Sequence, residues 1–259
     1  MSNGIGDFLL GILLLFFVME FGFIHSYETG AAVDGPGMRF ALFIAGCPFR
    51  CTYCHNPDTW EMKCGKRTSS EEVIQEIAKY ASFLRIAGGL TITGGEPLTQ
   101  PDFVHEVFSR AKNEFKLHTA LDTQGYLAAA LNDDWFAPVD LVLLDIKIMD
   151  PGKHLRLTGK ELQPSLDFAE RLERLHKKTW LRYVLIPGIT DDPEDIQALA
   201  DFIAPLSCIE RVEVLPFHNL GIHKWEELGI PYTLKNQKSP TPEEVRLVQS
   251  LLENAIQRN

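Results

Sequence analysis

Three of the five cysteines in this chain fall within one short stretch, Cys47-Pro48-Phe49-Arg50-Cys51-Thr52-Tyr53-Cys54. Their spacing is C-x3-C-x2-C, and the stretch directly follows an apolar run at residues 38–45. Cysteine thiolates are the usual ligands of a [4Fe–4S] cluster. Three ligands leave one of the four irons open, so the pattern predicts a cluster that binds a substrate directly.

An open iron suits a ligand with two donor atoms, such as the amine and carboxylate that S-adenosylmethionine (SAM) carries on one carbon. The alternative is a structural zinc site formed by Cys47, Cys51, Cys54 and His55, since zinc accepts three cysteines and one histidine. Structural zinc sites usually draw their ligands from two separated pairs, whereas these four residues are nearly contiguous. The spacing therefore favours the cluster.

Composition limits the class of protein. A chain of 259 residues with 45% hydrophobic content is long enough for one domain with a sizeable core. The net charge of −10 argues against nucleic acid or an anionic membrane as the main partner. Five cysteines, an odd number, without a secretory signal indicate metal binding in a reducing compartment, and we expect a cytoplasmic protein.

The amino-terminal residues are apolar from about residue 8 to 23, but Asp7 precedes the run and Glu20 interrupts it. A spanning helix needs about 20 apolar residues, so a membrane anchor is not expected. The run also lacks the basic start of a signal peptide. We expect residues 1–18 to be an extension outside the fold and residues 19–259 to form the domain.

Strand and helix patterns alternate along the rest of the chain. Five helix starts are indicated, among them the capping box Ser69-Ser70-Glu71-Glu72, which Val73, Ile77 and Ala81 follow at helical spacing. The others lie at Pro101, Ser165, Asp192 and Thr241. Six apolar runs are predicted to be buried strands: residues 38–45, 89–93, 117–122, 141–146, 179–186 and 211–216.

Six strand–helix units predict an α/β fold with parallel strands. They are too few to close an eight-stranded barrel, so a partial (β/α)6 TIM-like barrel and an open doubly wound sheet are both compatible. In either fold, chemistry belongs at the carboxyl ends of the strands.

Polar groups follow each predicted strand at that position. A single acid or histidine there is more often a cap or a salt bridge than a functional group. Here every strand contributes one near the same rim, which favours a shared site. In chain order, the segments after the cysteines are Gly94-Gly95-Glu96-Pro97, Asp122-Thr123, Asp145-Ile146-Lys147, Arg182 and His218.

The cysteine spacing and the Gly-Gly-Glu segment resemble those of the radical SAM superfamily. The likeness is closer to the pyruvate formate-lyase activating enzymes, and it covers about residues 23 to 256. Beyond the cysteines, six segments carry it: residues 24–30, residues 33–40 with Asp34-Gly35-Pro36-Gly37, residues 54–60 with Cys54-His55-Asn56-Pro57, and residues 141–147, 180–188 and 215–225. This resemblance implies a partial barrel of the radical SAM type, with a [4Fe–4S] cluster and SAM as cofactors.

The resemblance also implies residue roles. Cys47, Cys51 and Cys54 would ligate the cluster, whereas Cys64 and Cys208 match no ligand. A monovalent-cation site would be formed by Asp122, Thr123, Asp145 and the Leu143 carbonyl. The 34–37 loop would pack near the incoming glycine loop of the partner. The SAM pocket would be lined by Tyr53, Cys54, His55, Gly95, Glu96, Asp145, Ile146, Lys147, Arg182 and His218.

The implied reaction begins with one electron from flavodoxin or ferredoxin and ends with a glycyl radical on pyruvate formate-lyase. Three alternatives remain: an activase of another glycyl radical enzyme, a small-molecule radical SAM enzyme and a zinc-binding interaction module. Many other activases carry an inserted domain with extra cysteines, and residues 65–90 contain none.

Overall fold

The computed structural model describes residues 19–257. The predicted extension at residues 1–18 lies outside this part of the chain. None of the helices between residues 19 and 257 is long and apolar enough to cross a membrane.

Eight strands form one sheet in the order β3-β1-β2-β4-β5-β6-β7-β8. From β2 to β8, neighbouring strands are parallel, whereas β1 runs antiparallel to both β2 and β3. All six predicted strands are confirmed within one or two residues. The strands are β1 (Phe21–Ala31), β2 (Met38–Ile44), β3 (Lys66–Ser69), β4 (Gly88–Gly94), β5 (Thr119–Thr123), β6 (Leu141–Asp145), β7 (Thr179–Leu185) and β8 (Ile209–Pro216).

The strand order decides between the two predicted architectures. A doubly wound sheet reverses direction at an inner strand, which places helices on both faces. Here each parallel strand lies beside the next one in the chain, so right-handed crossovers place every connecting helix on the same side. The sheet therefore curls into a partial barrel. It stays open, because within residues 19–257 no pairing joins its edge strands β3 and β8.

Eight α-helices accompany the sheet in the described chain. The predicted caps of α1, α6 and α8 are present. The side chains of Ser69, Asp192 and Thr241 accept hydrogen bonds from backbone N–H groups in the first turn of their helices. The helices are α1 (Ser70–Ala78), α2 (Ala81–Ala87), α3 (Pro101–Phe115), α4 (Pro151–Thr158), α5 (Gln163–Arg174), α6 (Pro193–Ile203), α7 (Ile222–Glu227) and α8 (Pro242–Ile256).

The structure differs from the sequence prediction at the first helix. The pattern predicted one helix through Ala81, but α1 ends at Ala78 and α2 begins at Ala81. Tyr80 interrupts the helix with φ −115° and ψ −5°, and its ring packs 6.1 Å from that of Phe40. The break redirects the chain so that Leu84 of α2 is buried.

Strands β1 and β3 were not predicted. β1 carries polar residues over its second half and has one half-exposed face, which is typical of an antiparallel strand near a sheet edge. It continues the sheet beyond β2 and pairs with β3 through Phe21 to Ile24.

Candidate active site

The predicted strand-end residues all lie at the carboxyl edge of the sheet. Cys47 follows β2, Gly95 follows β4 and His218 follows β8. Asp122 and Thr123 end β5, and Asp145 ends β6. Arg182 lies within β7, opposite Asp145 of β6 and Glu213 of β8. The fold therefore brings the sequence-predicted residues to one rim.

The cysteine loop, residues 46–55, is held by backbone hydrogen bonds on both sides. Gly46 and Cys47 donate to the carbonyls of Thr59 and Trp60, at 2.7 and 3.0 Å. On the other side, Arg50 donates to the Thr158 carbonyl at 2.7 Å, at the end of α4. The arginine side chain also folds back over the loop and donates to the carbonyl of Cys47 at 2.7 Å. These bonds fix the loop without using the thiols.

The three thiols lie in an apolar setting. Cys51 is 8% exposed and belongs to a buried cluster with Phe49 and Tyr53, against which Cys47 and Cys54 pack. Burial raises the pKa of Cys47 to about 12 and raises the pKa values of Cys51 and Cys54 as well. The thiols are therefore protonated near neutral pH, and only a metal that displaces their protons turns them into ligands.

A single metal ion and a four-iron cluster require different spacings of their ligands. Within residues 19–257, no three His, Cys, Asp or Glu side chains converge on one point as the ligands of a single ion do. A four-iron cluster binds each thiolate at a different corner, so its ligands lie farther apart than those of one ion.

The Gly-Gly-Glu segment packs directly on the cysteine loop. Glu96 N donates to the carbonyl of Gly46 at 2.7 Å. A Cβ atom on Gly95 would lie 2.3 Å from that same carbonyl oxygen, closer than real Cβ contacts allow. Glycine at this position is thus required by the close approach of two backbones, and it couples the two motifs.

The carboxylate of Glu96 is fully buried and fixed by neighbours. The Thr123 hydroxyl donates to its two oxygens at 2.7 and 2.9 Å, and the backbone N–H groups of Leu98 and Gln124 add bonds of 2.9 and 3.2 Å. Burial outweighs these bonds and raises the pKa of Glu96 to about 7. A hydrogen-bond donor or positive charge brought next to it would favour its charged form.

At the end of β6, Lys147 pairs with Asp145 at 2.8 Å. Burial is the largest single influence and lowers the pKa of Lys147, but Asp145, Tyr53 and Cys51 together outweigh it, and the pKa lies well above its usual value. The ammonium lies 5.8 Å from the ring centre of Tyr53. The Tyr53 hydroxyl is buried and has no hydrogen-bond partner in the described structure.

Arg182 joins the strand ends to the 34–37 loop. Its guanidinium contacts Asp122 at 3.3 Å and Glu213 at 3.2 Å, and it donates to the Val33 carbonyl at 2.5 Å. Burial raises the pKa of Asp122 to about 6, although Arg182 opposes the shift. The side chain is thus held by carboxylates and by the loop, and its predicted place in a SAM pocket stays a prediction.

The predicted cation ligands are neighbours, but their oxygens already have partners. Asp122 accepts from Thr93 at 2.7 Å as well as from Arg182, and lies opposite Leu143 in the sheet. Asp145 is paired with Lys147, and Thr123 donates to Glu96. The monovalent-cation site stays a prediction.

Residues 217–225, which we call the strap, cross the cysteine loop from the end of β8. The His55 and His218 rings stack at 4.1 Å, and Trp225 Nε1 donates to the carbonyl of Cys54 at 2.9 Å. Lys224 reaches across to Asn56 at 2.8 Å. Burial lowers the pKa of His55. Through these contacts the strap holds Cys54 in place. The sequence signature at residues 215–225 therefore has a structural role.

Several supporting residues were missed in the sequence. Gln124 Nε2 lies 3.7 Å from the Cys47 sulfur, and Glu213 pairs with Arg182. Asp58 joins His25 and Lys224, each at 3.0 Å. The alternation in β8 places Glu213 on the interior face and could have identified it, whereas the Asp58 contacts depend on segments far apart in the chain.

These features define the class. Residues 42–203 match the family model described as the radical SAM superfamily, and the chain belongs to it. Its cofactors are therefore a [4Fe–4S] cluster and SAM. The zinc-binding interaction module is overturned by this match.

Within that superfamily, the chain belongs with the pyruvate formate-lyase-activating enzymes. It is 43% identical over 243 residues to the enzyme of that name from Listeria monocytogenes, which covers 90% of this chain and 97% of the relative. It is 42% identical over 236 residues to the one from Staphylococcus epidermidis, over 87% of this chain and 92% of the relative.

Solved structures share the fold. A domain of a pyruvate formate-lyase-activating enzyme from Bacteroides vulgatus aligns with TM-score 0.53 and 24% identity, over 65% of this chain and 95% of that one. Streptococcus suis SuiB bound to its precursor peptide SuiA aligns with TM-score 0.65 and 16% identity, over 87% of this chain and 47% of that one. At these identities the likeness concerns the fold alone.

Proposed function

We propose that this protein installs a glycyl radical on pyruvate formate-lyase. The observation that carries the proposal is the cysteine loop at the mouth of an open partial barrel, locked on one side by Gly95 and on the other by Trp225. The names of the relatives at 43% and 42% identity support the choice of partner.

The donor set fits the cofactors. Cys47, Cys51 and Cys54 offer three thiols from one fixed loop and would hold the cluster. Two buried polar atoms beside them, Tyr53 Oη and His218 Nδ1, have no partner within the described chain. Buried polar atoms are rarely left unpaired, so their position favours a polar ligand that enters the site. When bound, the cluster and SAM together supply a 5′-deoxyadenosyl radical, which removes a hydrogen atom from a glycine.

The residues around the cysteines would orient SAM and keep water out. The Glu96 carboxylate would accept a hydrogen bond from the methionyl amine, since it is buried and already held by Thr123. The paired Lys147 and Asp145 would present opposite charges to the rest of the molecule. The complete proposed pocket is Tyr53, Cys54, His55, Gly95, Glu96, Asp145, Ile146, Lys147, Arg182 and His218.

The open side of the barrel suits a protein substrate. The eight-stranded sheet leaves a gap, because its edge strands β3 and β8 do not pair within the described residues. The 34–37 loop borders the interior, where Thr91 Oγ1 donates to the Asp34 carbonyl at 2.6 Å and Arg182 holds Val33. The Val33 side chain remains 77% exposed. A glycine loop of the partner entering through the gap would meet this segment.

Further parts of the proposal concern the setting of the reaction. A cytoplasmic flavodoxin or ferredoxin would donate the electron. Asp122, Thr123, Asp145 and the Leu143 carbonyl would hold a monovalent cation beside SAM.

Residues 19–259 would form the radical SAM domain, so a variant that starts at Met19 should stay active. If the full chain fractionates with membranes and that variant does not, residues 1–18 act as an anchor instead.

An activase of another glycyl radical enzyme is the second candidate. It is disfavoured because residues 66–87 are occupied by β3, α1 and α2, which leaves no room there for an inserted cluster domain.

The test is an anaerobic assay of 5′-deoxyadenosine formation with reduced enzyme and SAM. We expect slow cleavage alone and strong stimulation by pyruvate formate-lyase, but none by a pyruvate formate-lyase whose radical glycine is replaced with alanine. Stimulation by a different glycyl radical enzyme only would keep the chemistry and overturn the partner. Conversion of a small metabolite without any protein partner would overturn the activase assignment.

A further inference from the structure

A second charged region lies at the opposite end of the sheet from the cysteines. An open cavity of about 740 Å³ lies where β5, β6 and β7 begin. One carboxylate, that of Asp140, lines it among an excess of basic groups, in a chain whose formal net charge is −10. The basic residues of this lysine cavity are Lys112, Lys116, His118, His176, Lys177 and Lys178.

The positive charge is only partly neutralised. Lys112 pairs with Asp140, and Lys178 pairs with Glu210 at 2.7 Å. Lys116 and Lys177 instead donate to backbone carbonyls at 2.9 Å, and neither forms an ion pair with the described residues. Burial and the nearby Lys112 lower the pKa of Lys177, as expected for an ammonium that lacks a counter-ion.

The backbone is unusual at two residues of the same cavity. Lys116 has φ 58° and His176 has φ 49°, and no other non-glycine residue between residues 19 and 257 has a positive φ. Both follow helices, α3 and α5, at the place where glycine usually adopts this conformation. A side chain there is strained, because its Cβ atom crowds the following carbonyl oxygen.

A structural explanation covers only part of this arrangement. Cations near the carboxyl ends of helices are stabilised by the helix dipole, which accounts for lysines after α3 and α5. It does not account for a lysine and a histidine at the strained positions, where glycine would end each helix without strain. The buried Nδ1 atom of His118 also lacks a hydrogen-bond partner in the described structure.

We propose that the lysine cavity binds a small phosphorylated compound. Lysine ammonium groups bind phosphate as point charges, and two of them here lack a carboxylate partner. The volume lies in the range of small-molecule sites, roughly 300–1,000 Å³, and exceeds what a single phosphate fills. Because the cavity is at the amino end of the strands, its ligand would bind together with SAM rather than in its place.

The test uses the cluster-loaded enzyme and isothermal titration calorimetry under anaerobic conditions, with pyrophosphate and inorganic phosphate as probes. We expect one pyrophosphate to bind, more tightly than phosphate, with an affinity that saturating SAM does not change. Lys177→Gln and Lys116→Gly should each weaken pyrophosphate about tenfold, the effect of losing one charge-assisted hydrogen bond. Lys79→Gln removes an exposed charge outside the cavity and should leave binding unchanged.

The melting temperature separates a binding role of Lys116 from a merely structural one. Lys116→Gly should weaken binding without lowering the melting temperature, since glycine relieves the strained backbone. No pyrophosphate binding by the wild-type enzyme would overturn the proposal. So would binding that SAM displaces, or binding that neither Lys177→Gln nor Lys116→Gly weakens.

Discussion

The two ends of the parallel sheet treat buried polar groups differently. At the amino end of β2, Arg39 is fully buried, and its guanidinium donates to Thr91 and to the carbonyls of Pro36, Leu90 and His118. At the carboxyl end, Tyr53, His218 and Asn219 each keep one buried polar atom without a partner in the described chain. The Arg39 guanidinium is thus paired with the protein's own atoms, whereas these three groups at the cysteine end are not.

The difference indicates where ligands bind, because an unpaired buried polar group costs about 1–3 kcal/mol. Two other such atoms occur in the described residues. One, on His118, lies in the lysine cavity, and nothing in the structure explains the other, Ser165 Oγ. Substitutions at the cysteine end should therefore affect activity more than stability, and substitutions around Arg39 should affect stability more than activity.

The largest effect is expected for Cys51→Ala. Two thiolates do not hold the cluster stably, so iron content and SAM cleavage should both be lost. Cys208→Ala is the matched control, because Cys208 is equally buried but lies at the start of β8, far from the loop. Iron and sulfide counting after anaerobic reconstitution, with a SAM-cleavage assay, measures both. Full activity in Cys51→Ala would refute the ligand assignment.

Gly95→Ala should have the next largest effect. The new methyl group would lie 2.3 Å from the Gly46 carbonyl and push the Gly-Gly-Glu segment away from the cysteine loop. We expect a loss of about 1–3 kcal/mol in the free energy of unfolding and a larger loss of SAM cleavage. Gly152→Ala, whose methyl group would meet only the side-chain ends of Asp150 and Arg156 at 3.3 and 3.5 Å, is the control for denaturant unfolding and activity. Equal behaviour of the two variants would show that the contact is unimportant.

A smaller effect is expected for Trp225→Phe, which keeps a ring in the strap but removes the hydrogen bond to the Cys54 carbonyl. Such a bond contributes about 1 kcal/mol, so the cluster should be lost to a chelator roughly fivefold faster. Trp180→Phe is the control, because its ring lies beside Arg211 on β8 rather than over the loop. An unchanged rate in Trp225→Phe would mean that the strap does not stabilise the cysteine loop.

The smallest expected effect is the release of protons when SAM binds. Because burial raises the pKa of Glu96 to about 7, the carboxyl is partly protonated at neutral pH. A hydrogen bond from the SAM amine would favour the charged form and lower this pKa. At pH 7, binding should therefore release about half a proton more from the wild-type enzyme than from Glu96→Gln, whereas near pH 9 the two should release equal amounts. Calorimetry in buffers of different ionisation enthalpy measures the release. Equal release by the two enzymes at pH 7 would contradict the hydrogen bond to Glu96.

Much of this architecture was accessible from the sequence. The six buried strands are recognisable in the sequence as apolar runs, and the caps at Ser69, Asp192 and Thr241 locate three helices. The cysteine spacing predicted the loop, and parallel strands implied that the polar segments would meet at one rim. These signals are local, and each depends on residues close together in the chain.

The rest of the architecture depends on contacts between segments that are far apart in the sequence. β1 lacks a clear apolar pattern because its partners are β2 and β3, and the break at Tyr80 arises from packing on Phe40. The choice of a partial barrel follows from strand order, which composition does not encode. The lysine cavity likewise joins the ends of α3 and α5, some 60 residues apart in the sequence.

The central claim is that this site makes a radical on a glycine of another protein. The most direct measurement is electron paramagnetic resonance of reduced enzyme, SAM and pyruvate formate-lyase mixed without oxygen. The account predicts the doublet of a glycyl radical on pyruvate formate-lyase, present with wild-type enzyme and Cys208→Ala and absent with Cys51→Ala. No doublet with the wild-type enzyme, despite a full cluster and bound SAM, would contradict it.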